Sequence, residues 1–260
     1  MARTTVKDKL LDILTRSDGD FISGNALAES LSVTRAAVWK AVNALRADGF
    51  EIDGTTNKGY RLSGSSGQFN AHSISAMLTP EASAFYNIEC VDVIDSTNTA
   101  VKARAAAEPG EGLIIIARQQ TAGRGRMGRR FHSPMGTGVY MSILLRPKMP
   151  ASDAVHITAA AAVAAAEAIE EVCPAIGPGG VQIKWVNDLF LDDKKICGIL
   201  TEAGISVENT YLEYAVLGLG FNIRTPEGGW PEEIKDTAGS LDSYLDPVIT
   251  NCSVASGGSG

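Results

Sequence analysis

The chain has 260 residues, of which 45% are hydrophobic and 20% charged, a balance typical of one or two globular domains. Its formal net charge of −7 excludes non-specific nucleic-acid binding by the molecule as a whole, so any DNA contact must come from a local patch. No run of 18 consecutive apolar residues occurs, and the first residues lack the apolar segment of a signal peptide. We therefore expect a soluble, cytoplasmic protein without a membrane partner.

The cysteines and histidines show no spacing of the kind that binds metals. No two cysteines form a Cys-x-x-Cys pair, and no two histidines are separated by three residues. Free thiols in a reducing compartment are therefore favoured over disulfides or a zinc site. The residues concerned are Cys90, Cys173, Cys197, Cys252, His72, His132 and His156.

Residues 4–64 have the pattern of a winged helix-turn-helix. After a first amphipathic helix, the sequence predicts a short helix from about Asn25 to Leu31 and a longer one from Thr34, its N-cap, to about Asp48. Two short strands, Phe50–Asp53 and Gly59–Leu62, then frame a turn with a basic tip, and residues 63–68 read as a flexible linker.

The second helix of a helix-turn-helix enters the major groove of DNA and presents its first turns to base edges. A small helical protein-interaction domain is the alternative, and charge alone does not exclude it, because acidic residues in this segment balance the basic ones. The candidate DNA-contacting residues are Arg35, Lys40, Asn43, Arg46 and, on the wing, Lys58.

Strands and helices alternate over residues 69–245, which predicts an α/β domain. A strand over Asn87–Ile94 leads into Ser96, Thr97 and Asn98, and a helix follows from Thr99 to Ala107. Hydroxyls and an amide at such a corner supply both donors and acceptors to a ligand. Simple capping of the helix by Ser96 or Thr97 is the alternative.

An apolar strand over Gly112–Ala117 precedes a loop in which glycines alternate with arginines, residues 119–131. Glycine lets the backbone fold closely around a ligand, and arginine holds carboxylate or phosphate in two parallel hydrogen bonds. A solvated basic loop without a ligand is the alternative, but further polar clusters at other strand ends make it less favoured.

The remaining chain predicts a strand over Thr137–Leu145, a packing helix over Ala151–Val172, and a strand over Val181–Trp185 that brings Lys184 to its end. A hairpin turn at residues 192–195 precedes a strand over Ile196–Glu202, and the last strand ends at residue 222. Gly218 and Gly220 in that strand would let a planar group approach. For Lys184, a structural ion pair is the alternative to a ligand-binding role. For Trp230, packing within a loop is the alternative to stacking on a ligand.

Three motifs occur in a fixed order: Ser96-Thr97-Asn98, Gly123-Arg124-Gly125-Arg126-Met127-Gly128-Arg129, and Lys184-Trp185-Val186-Asn187-Asp188. On these motifs the chain resembles the biotin protein ligases, specifically the bifunctional ligase/repressors of bacteria, over about residues 5–245. Two positions depart from the family pattern: Val186 stands in place of a proline, and Phe131 in place of the usual tryptophan. The resemblance implies an α/β (α+β) architecture, with an N-terminal winged helix-turn-helix and a mixed-sheet catalytic domain like that of class II synthetases.

The resemblance implies a two-step reaction with biotin, ATP and Mg²⁺, in which biotinyl-AMP forms and biotin passes to a lysine of a biotin carboxyl carrier protein. It also implies repression through operator DNA, with a homodimer reaching paired half-sites. The implied biotin-binding residues are Ser96, Thr97, Asn98, Gln120, Arg124, Gly125, Arg126, Lys184 and Lys195. The implied catalytic residues are Arg126, Lys184, Asp188 and Lys195, and the nucleotide-binding candidates are Asn222 and Trp230.

Two other functions remain open: a lipoate or octanoate ligase of the same superfamily, and a non-catalytic regulator that only senses biotin. Residues 246–260 end in a glycine- and serine-rich run that resembles an engineered linker. The family continues into a small C-terminal β-barrel domain, so we expect a truncated ligase, with weakened affinity for ATP.

Overall fold

The structure is a computed structural model, and it describes residues 5–17, 19–47, 50, 52–62, 69–107, 110–206, 208 and 210–245. These residues divide into two compact units, one ending at Met77 and the other beginning at Leu78. The expected domain limits, 4–64 and 69–245, remain predictions. The expected linker at residues 63–68 and the expected tail at 246–260 lie outside the described residues.

The first unit is three helices followed by a two-stranded antiparallel hairpin and one further helix. Its core is formed by aliphatic side chains from every helix of the helix-turn-helix, among them Leu10, Leu14, Leu27, Val38, Val42 and Leu45. The elements are α1 (Val6–Arg16), α2 (Gly24–Ser30), α3 (Arg35–Ala47), β1 (Ile52–Thr55), β2 (Gly59–Leu62) and α4 (Ala71–Met77).

Side-chain caps determine where the helices of the first unit begin. Thr5 and Asp8 form a reciprocal capping box at the start of α1, and the Ser23 hydroxyl accepts from the N–H of Ala26 in α2. The Thr34 hydroxyl accepts a 3.2 Å hydrogen bond from the N–H of Ala37, so the predicted cap of α3 is confirmed.

The wing begins later than the sequence predicted. Its first strand starts at Ile52 rather than at Phe50, and it includes Thr55, which pairs with Gly59 across the hairpin. The turn is consequently shorter than predicted, and Asn57 has a φ of 74°, a conformation that asparagine tolerates.

The second unit is built on a seven-stranded sheet with the order β3-β4-β5-β9-β8-β7-β6. β3 and β4 are parallel and the other neighbours are antiparallel, so the predicted mixed sheet and α/β class are confirmed. The elements are α5 (Pro80–Phe85), β3 (Asn87–Ile94), α6 (Thr97–Ala107), β4 (Leu113–Gln120), β5 (Gly138–Leu145), α7 (Ala154–Val172), β6 (Gln182–Lys184), β7 (Asp188–Leu191), β8 (Lys194–Ile205) and β9 (Leu212–Asn222).

Helices cover both faces of this sheet. On one face, Val101 of α6 packs with Leu144 and Val216, and on the other, the alanines of α7 pack with strand residues such as Ile199. Residues 151–172 are long and apolar enough to cross a membrane by length and composition alone. Their buried alanines lie in the core of this unit, which is the packing role that the sequence predicted.

The helix after β3 begins two residues earlier than predicted, at Thr97. The hydroxyl of Ser96 accepts a 3.4 Å hydrogen bond from the N–H of Thr99, so the capping role that the sequence left open is present. Thr97 and Asn98 consequently lie in the first turn of α6, where both are buried against the sheet.

Candidate functional site

A cavity opens over the part of the sheet where glycines stand side by side on neighbouring strands. Gly218 pairs with Ser142 on one side and with Leu200 on the other, and Gly220 pairs with Tyr140 and Gly198. Paired residues share a face of the sheet, so the missing side chains leave a shallow floor.

The space above the cavity floor is occupied by two planar groups of the protein itself. A Cβ atom at Gly218 would overlap the amide of Asn98, and one at Gly220 would overlap the ring of Phe131. The sequence predicted that these glycines admit a planar group. In the structure the planar groups that approach them are the Asn98 amide, at Gly218, and the Phe131 ring, at Gly220.

Buried polar side chains at one end of the cavity hydrogen-bond to one another. The Thr97 N–H and hydroxyl both approach Gln120 Oε1, at 2.9 and 3.2 Å. The Gln120 amide donates to the Ser133 hydroxyl at 3.0 Å, and the Ser142 hydroxyl lies 2.7 Å from Thr97 Oγ1. Sequence reasoning missed Ser133 and Ser142, although a serine within the apolar run of β5 was a usable signal.

The Asn98 amide has a defined orientation in this network. Its Nδ2 donates to Glu202 Oε2 at 3.0 Å and to the Leu200 carbonyl at 3.3 Å, while its Oδ1 accepts from the Ser142 hydroxyl at 2.6 Å. Both donors of the amide are therefore used within the protein, and the group can offer a ligand a second lone pair on Oδ1. Glu202 was also missed from the sequence.

The glycine-arginine loop closes on itself and places two arginines at the cavity. The Gly125 N–H donates to the Arg129 carbonyl at 2.8 Å, and residues 126–128 form one turn of 3₁₀ helix. Arg124 Nη1 lies 3.4 Å from Glu202 Oε1, and Arg126 Nη1 donates to Asn187 Oδ1 at 2.7 Å. Guanidinium groups held in this way can bind the carboxylate or phosphate of a ligand.

A chain of short contacts links the loop to the opposite wall of the cavity. After the Arg126–Asn187 bond, Asn187 Nδ2 donates to Asp188 Oδ1 at 2.8 Å, and the same oxygen lies 2.7 Å from Lys195 Nζ. The Lys195 ammonium also lies 5.8 Å from the centre of the Phe131 ring. The predicted residues Arg126, Asp188 and Lys195 are thus brought together.

Lys184 is not brought to this cavity, although the sequence placed it among the catalytic and biotin-binding residues. It ends the outermost strand, β6, and its side chain is exposed. Its ammonium lies 5.1 Å from the centre of the Phe190 ring, away from the cavity lining. Its backbone position opposite Asp188 does not determine where the flexible four-carbon side chain ends.

A second cavity, of about 90 Å³, lies beside the first and shares Lys195 and Phe131 with it. Trp230 lines it and meets His132 edge to face, with ring centres 6.4 Å apart. Burial, and secondarily the charge of Arg130, lowers the pKa of His132 from its usual 6.5. A neutral imidazole next to an indole suits the face of an aromatic base.

Asn222 lines the second cavity, but its amide serves the protein. Nδ2 donates to the carbonyls of Lys195 and Gly239 at 3.2 and 3.0 Å, so neither of its hydrogens remains for a base. An adenine contact, as expected from the sequence, would have to use Asn222 Oδ1.

The first cavity is narrow, about 50 Å³, because the Phe131 ring and the Arg126–Asn187 bond close over it. Sites for small organic ligands measure roughly 300–1,000 Å³. A small organic ligand therefore needs more space than this conformation offers, and the glycines of the loop would let its backbone move.

The cysteines that the structure describes are not reactive thiols. Among the described residues, Cys90, Cys173 and Cys197 are free thiols. Burial raises the pKa of Cys197 to about 12 and that of Cys90 to about 11. Both groups remain protonated at neutral pH and are poor nucleophiles.

In the first unit, α3 and the wing border a groove of about 670 Å³. Among the predicted DNA-contacting residues, Arg35 and Lys40 are exposed and Asn43 is half-buried. Trp39, which was not among them, is 59% exposed and lines the groove. The remaining two candidates also make internal contacts. Arg46 Nη2 donates to the Ile52 carbonyl at 2.6 Å, and the Lys58 ammonium lies 5.8 Å from the Phe21 ring.

Residues 90–222 match the biotin/lipoate A/B protein ligase family, and residues 6–61 match a helix-turn-helix domain. The chain belongs to the biotin/lipoate A/B protein ligase family, which confirms the resemblance predicted from its motifs. It is 36% identical over 254 residues to the bifunctional ligase/repressor BirA of Bacillus subtilis (strain 168), covering 97% of this chain and 75% of that protein.

One further relative agrees with this placement, and one solved structure agrees with the fold. The chain is 34% identical over 223 residues to the bifunctional ligase/repressor BirA of Escherichia coli (strain K12), covering 86% of this chain and 65% of that protein. A biotin protein ligase from Leishmania major, solved in complex with biotinyl-5-AMP, superposes with a TM-score of 0.50 and 24% identity. That alignment covers 64% of this chain and 66% of the other, and it supports the fold.

Proposed function

We propose that this chain is an ATP-dependent biotin–protein ligase that forms biotinyl-AMP, transfers biotin to a lysine of an acceptor protein, and represses transcription in response to biotin. The observation that carries the proposal is that two cavities share Lys195 and Phe131. An acid held in the first cavity and a nucleotide held in the second would meet at the Lys195 ammonium.

The polar end of the first cavity favours biotin over lipoate or octanoate. A ureido ring has one carbonyl and two N–H groups, and Ser96, Gln120 and the Oδ1 of Asn98 supply matching donors and acceptors. An octanoyl or lipoyl chain carries no such polar group at its far end. It would leave these buried groups without partners, which costs free energy.

In the first step, a carboxylate oxygen of biotin attacks the α-phosphorus of ATP, the bond to the β-phosphate breaks, and pyrophosphate leaves. Both reactants are anions, so neutralisation of charge and alignment supply most of the acceleration. Arg126 and Lys195 reach the site through the chain of contacts with Asn187 and Asp188. We assign them to hold the biotin carboxylate next to the phosphate.

Mg²⁺ fits this site as a companion of the nucleotide. Among the residues that the structure describes, no three acidic, histidine or cysteine side chains cluster as a metal cage. Mg²⁺ commonly binds through one or two carboxylates together with substrate phosphates, and Asp188 lines the cavity. When bound, Mg²⁺ would neutralise phosphate charge, with Asp188 as its protein ligand.

In the second step, the amine of the acceptor lysine attacks the carbonyl carbon of the mixed anhydride, AMP leaves, and the amine loses a proton. Asp188 is the carboxylate closest to Lys195 and is the candidate acceptor of that proton. The loop of Arg124–Arg130, closed over the adenylate, would shield the anhydride from water. A biotin carboxyl carrier protein is the acceptor that we propose.

Repression is assigned to the first unit. The exposed Arg35, Trp39 and Lys40 on α3 face the solvent where the second helix of such a domain contacts DNA. We propose that biotinyl-AMP promotes a homodimer whose two helix-turn-helix domains reach paired half-sites of operator DNA. A cytoplasmic location remains a prediction.

The experiment that tests the ligase is release of pyrophosphate from ATP on addition of biotin, followed by mass measurement of an added carrier domain. The proposal predicts biotin-dependent release of pyrophosphate and a carrier heavier by one biotinyl group. Octanoate and lipoate serve as competing acids, and either one replacing biotin would support the other branch of the family. A chain that binds biotin but releases no pyrophosphate would be a sensor without catalysis.

A further inference from the structure

Glu202 stands directly behind the wall of the first cavity. Side chains alternate between the two faces of a strand, so Gly198, Leu200 and Glu202 of β8 point to the same face of the sheet. The first two line the cavity, and Glu202 lies two residues further along, outside the lining of both cavities.

The carboxylate of Glu202 joins the glycine-arginine loop to helix α6. Its Oε1 lies 3.4 Å from Arg124 Nη1 and 3.7 Å from Lys102 Nζ, and its Oε2 accepts from Asn98 Nδ2 at 3.0 Å. The Glu202 side chain is 16% exposed, so solvent and salt screen these contacts less than those of a surface pair.

A carboxylate can only accept hydrogen bonds, and this determines how its neighbours are oriented. The Asn98 amide must turn Nδ2 toward Glu202, which leaves Oδ1 facing Ser142 and the cavity. The Arg124 guanidinium carries five donors, so it can contact Glu202 and still direct others into the cavity, which it lines.

We propose that Glu202 is a positioning residue of the biotin site, which holds Arg124 and Asn98 in the orientations that receive the ligand. The proposal rests on the proposed function, because it presumes that biotin occupies the first cavity. Glu202 itself touches no ligand. It acts through Arg124 of the glycine-arginine loop and Asn98 of the buried first turn of α6.

The test is Glu202→Gln, with biotin affinity measured by calorimetry and the dissociation rate of biotinyl-AMP measured by competition. Glutamine keeps the shape and an oxygen for Asn98, but it removes the charge that holds Arg124. We expect biotin to bind about tenfold more weakly and the adenylate to leave correspondingly faster, the loss typical of a charge-assisted hydrogen bond. Glu202→Asp, which retains the charge on a shorter side chain, should fall between wild type and Glu202→Gln.

Lys102→Met is the matched control. This change removes the second cation that contacts Glu202. Lys102 lies on α6 and lines neither cavity. We expect its biotin affinity to stay within about twofold of wild type, because the 3.7 Å contact of Lys102 with Glu202 orients neither Arg124 nor Asn98. A double-mutant cycle of Glu202→Gln with Arg124→Gln should be non-additive, because the second change removes a partner already released.

The outcomes distinguish failure of the positioning role from failure of the proposed function. Wild-type affinity for biotin in folded Glu202→Gln and Glu202→Asp would overturn the positioning role alone. So would an equal loss of affinity in Lys102→Met, or additive effects of the Glu202 and Arg124 changes. A wild-type chain that gives no heat with biotin would overturn the proposed function and this role together.

Discussion

The ammonium of Lys195 lies 2.7 Å from Oδ1 of Asp188, on the stretch of wall that the two cavities share. This ion pair is only partly exposed, and it is also joined to Arg126 through Asn187. Lys195 is therefore held where an acid and a phosphate would approach each other. Its charge would count most when negative charge develops between them.

Replacing Lys195 by methionine should reduce turnover far more than it reduces binding. Methionine keeps most of the length of the side chain but carries no charge, so we expect the kcat of pyrophosphate release to fall about 100-fold. Steady-state kinetics measures this. Lys194→Met is the control, because Lys194 donates to the Asp236 carbonyl at 2.6 Å and lines neither cavity. Equal loss of kcat in both variants would contradict the assignment of Lys195.

Ser142→Ala should weaken both the fold and the biotin site. The serine hydroxyl is fully buried and donates to Asn98 Oδ1 at 2.6 Å, so its removal leaves the amide oxygen short of a partner. We expect the free energy of unfolding to fall by about 1–3 kcal/mol, together with weaker biotin binding. Urea denaturation and calorimetry measure the two effects.

The control for Ser142 is Thr158→Val in α7. Thr158 and Thr201 share a 2.7 Å hydrogen bond, and neither lines the first or the second cavity of the site. That variant should lose stability and keep its affinity for biotin. Should Ser142→Ala likewise lose only stability, the buried network would have no part in ligand binding.

Asn222→Ala should lower the stability of the fold more than it weakens nucleotide binding. Both donors of the amide are taken by backbone carbonyls of Lys195 and Gly239, which would be left without this partner. We expect a loss of about 1–3 kcal/mol in the free energy of unfolding, measured by urea denaturation. Unchanged stability with a selective rise in the KM for ATP would instead show the direct adenine contact that the sequence suggested.

His132 should make the protein less stable at mildly acidic pH. Burial and the charge of Arg130 lower its folded-state pKa below 6.5, so the unfolded chain binds this proton more readily than the folded one. Stability is therefore lost as the pH falls from 6.5 through the folded-state pKa, and it is regained on raising the pH. His132→Gln should show a shallower decline of Tm over that range. Parallel curves for the two proteins would contradict the pKa shift.

Arg46 should affect DNA binding through the position of the wing rather than through a phosphate contact. Its Nε and Nη2 both donate to the Ile52 carbonyl, at 3.0 and 2.6 Å, which ties α3 to β1. We expect Arg46→Ala to weaken binding to duplex DNA while leaving the slope of log K against log salt unchanged. Lys40→Ala should lower that slope by about 0.9, the value for one phosphate contact. Fluorescence anisotropy over a salt series measures both slopes. If Arg46→Ala lowered the slope as much as Lys40→Ala, Arg46 would be a phosphate contact.

Local sequence was sufficient to predict most of the helices and strands and the three motifs of the site, but it did not predict α4, α5 or β7. The apolar run of β4 and the cap at Thr34 are recognised from neighbouring residues alone, and the structure retains both. The glycines of β9 were singled out for the same reason, since a strand that carries two of them must admit a close neighbour.

What could not be predicted depends on contacts between residues far apart in the chain. Glu202 meets Asn98 across 104 positions of sequence, and nothing near either residue predicts that pairing. The direction of a long side chain could not be predicted from the sequence either. Lys184 lies at the end of its strand, but its ammonium lies over the Phe190 ring. Asn222 was expected to hydrogen-bond adenine, but in the structure its amide Nδ2 donates to backbone carbonyls.

The most direct measurement is mass spectrometry of the chain under native conditions after incubation with biotin and ATP labelled at the α-phosphate. The account predicts one biotinyl-AMP per chain, carrying the label, with one pyrophosphate released for each. Retention of intact ATP beside intact biotin, with no adenylate and no pyrophosphate, would contradict the claim that Lys195 and its neighbours join the two ligands.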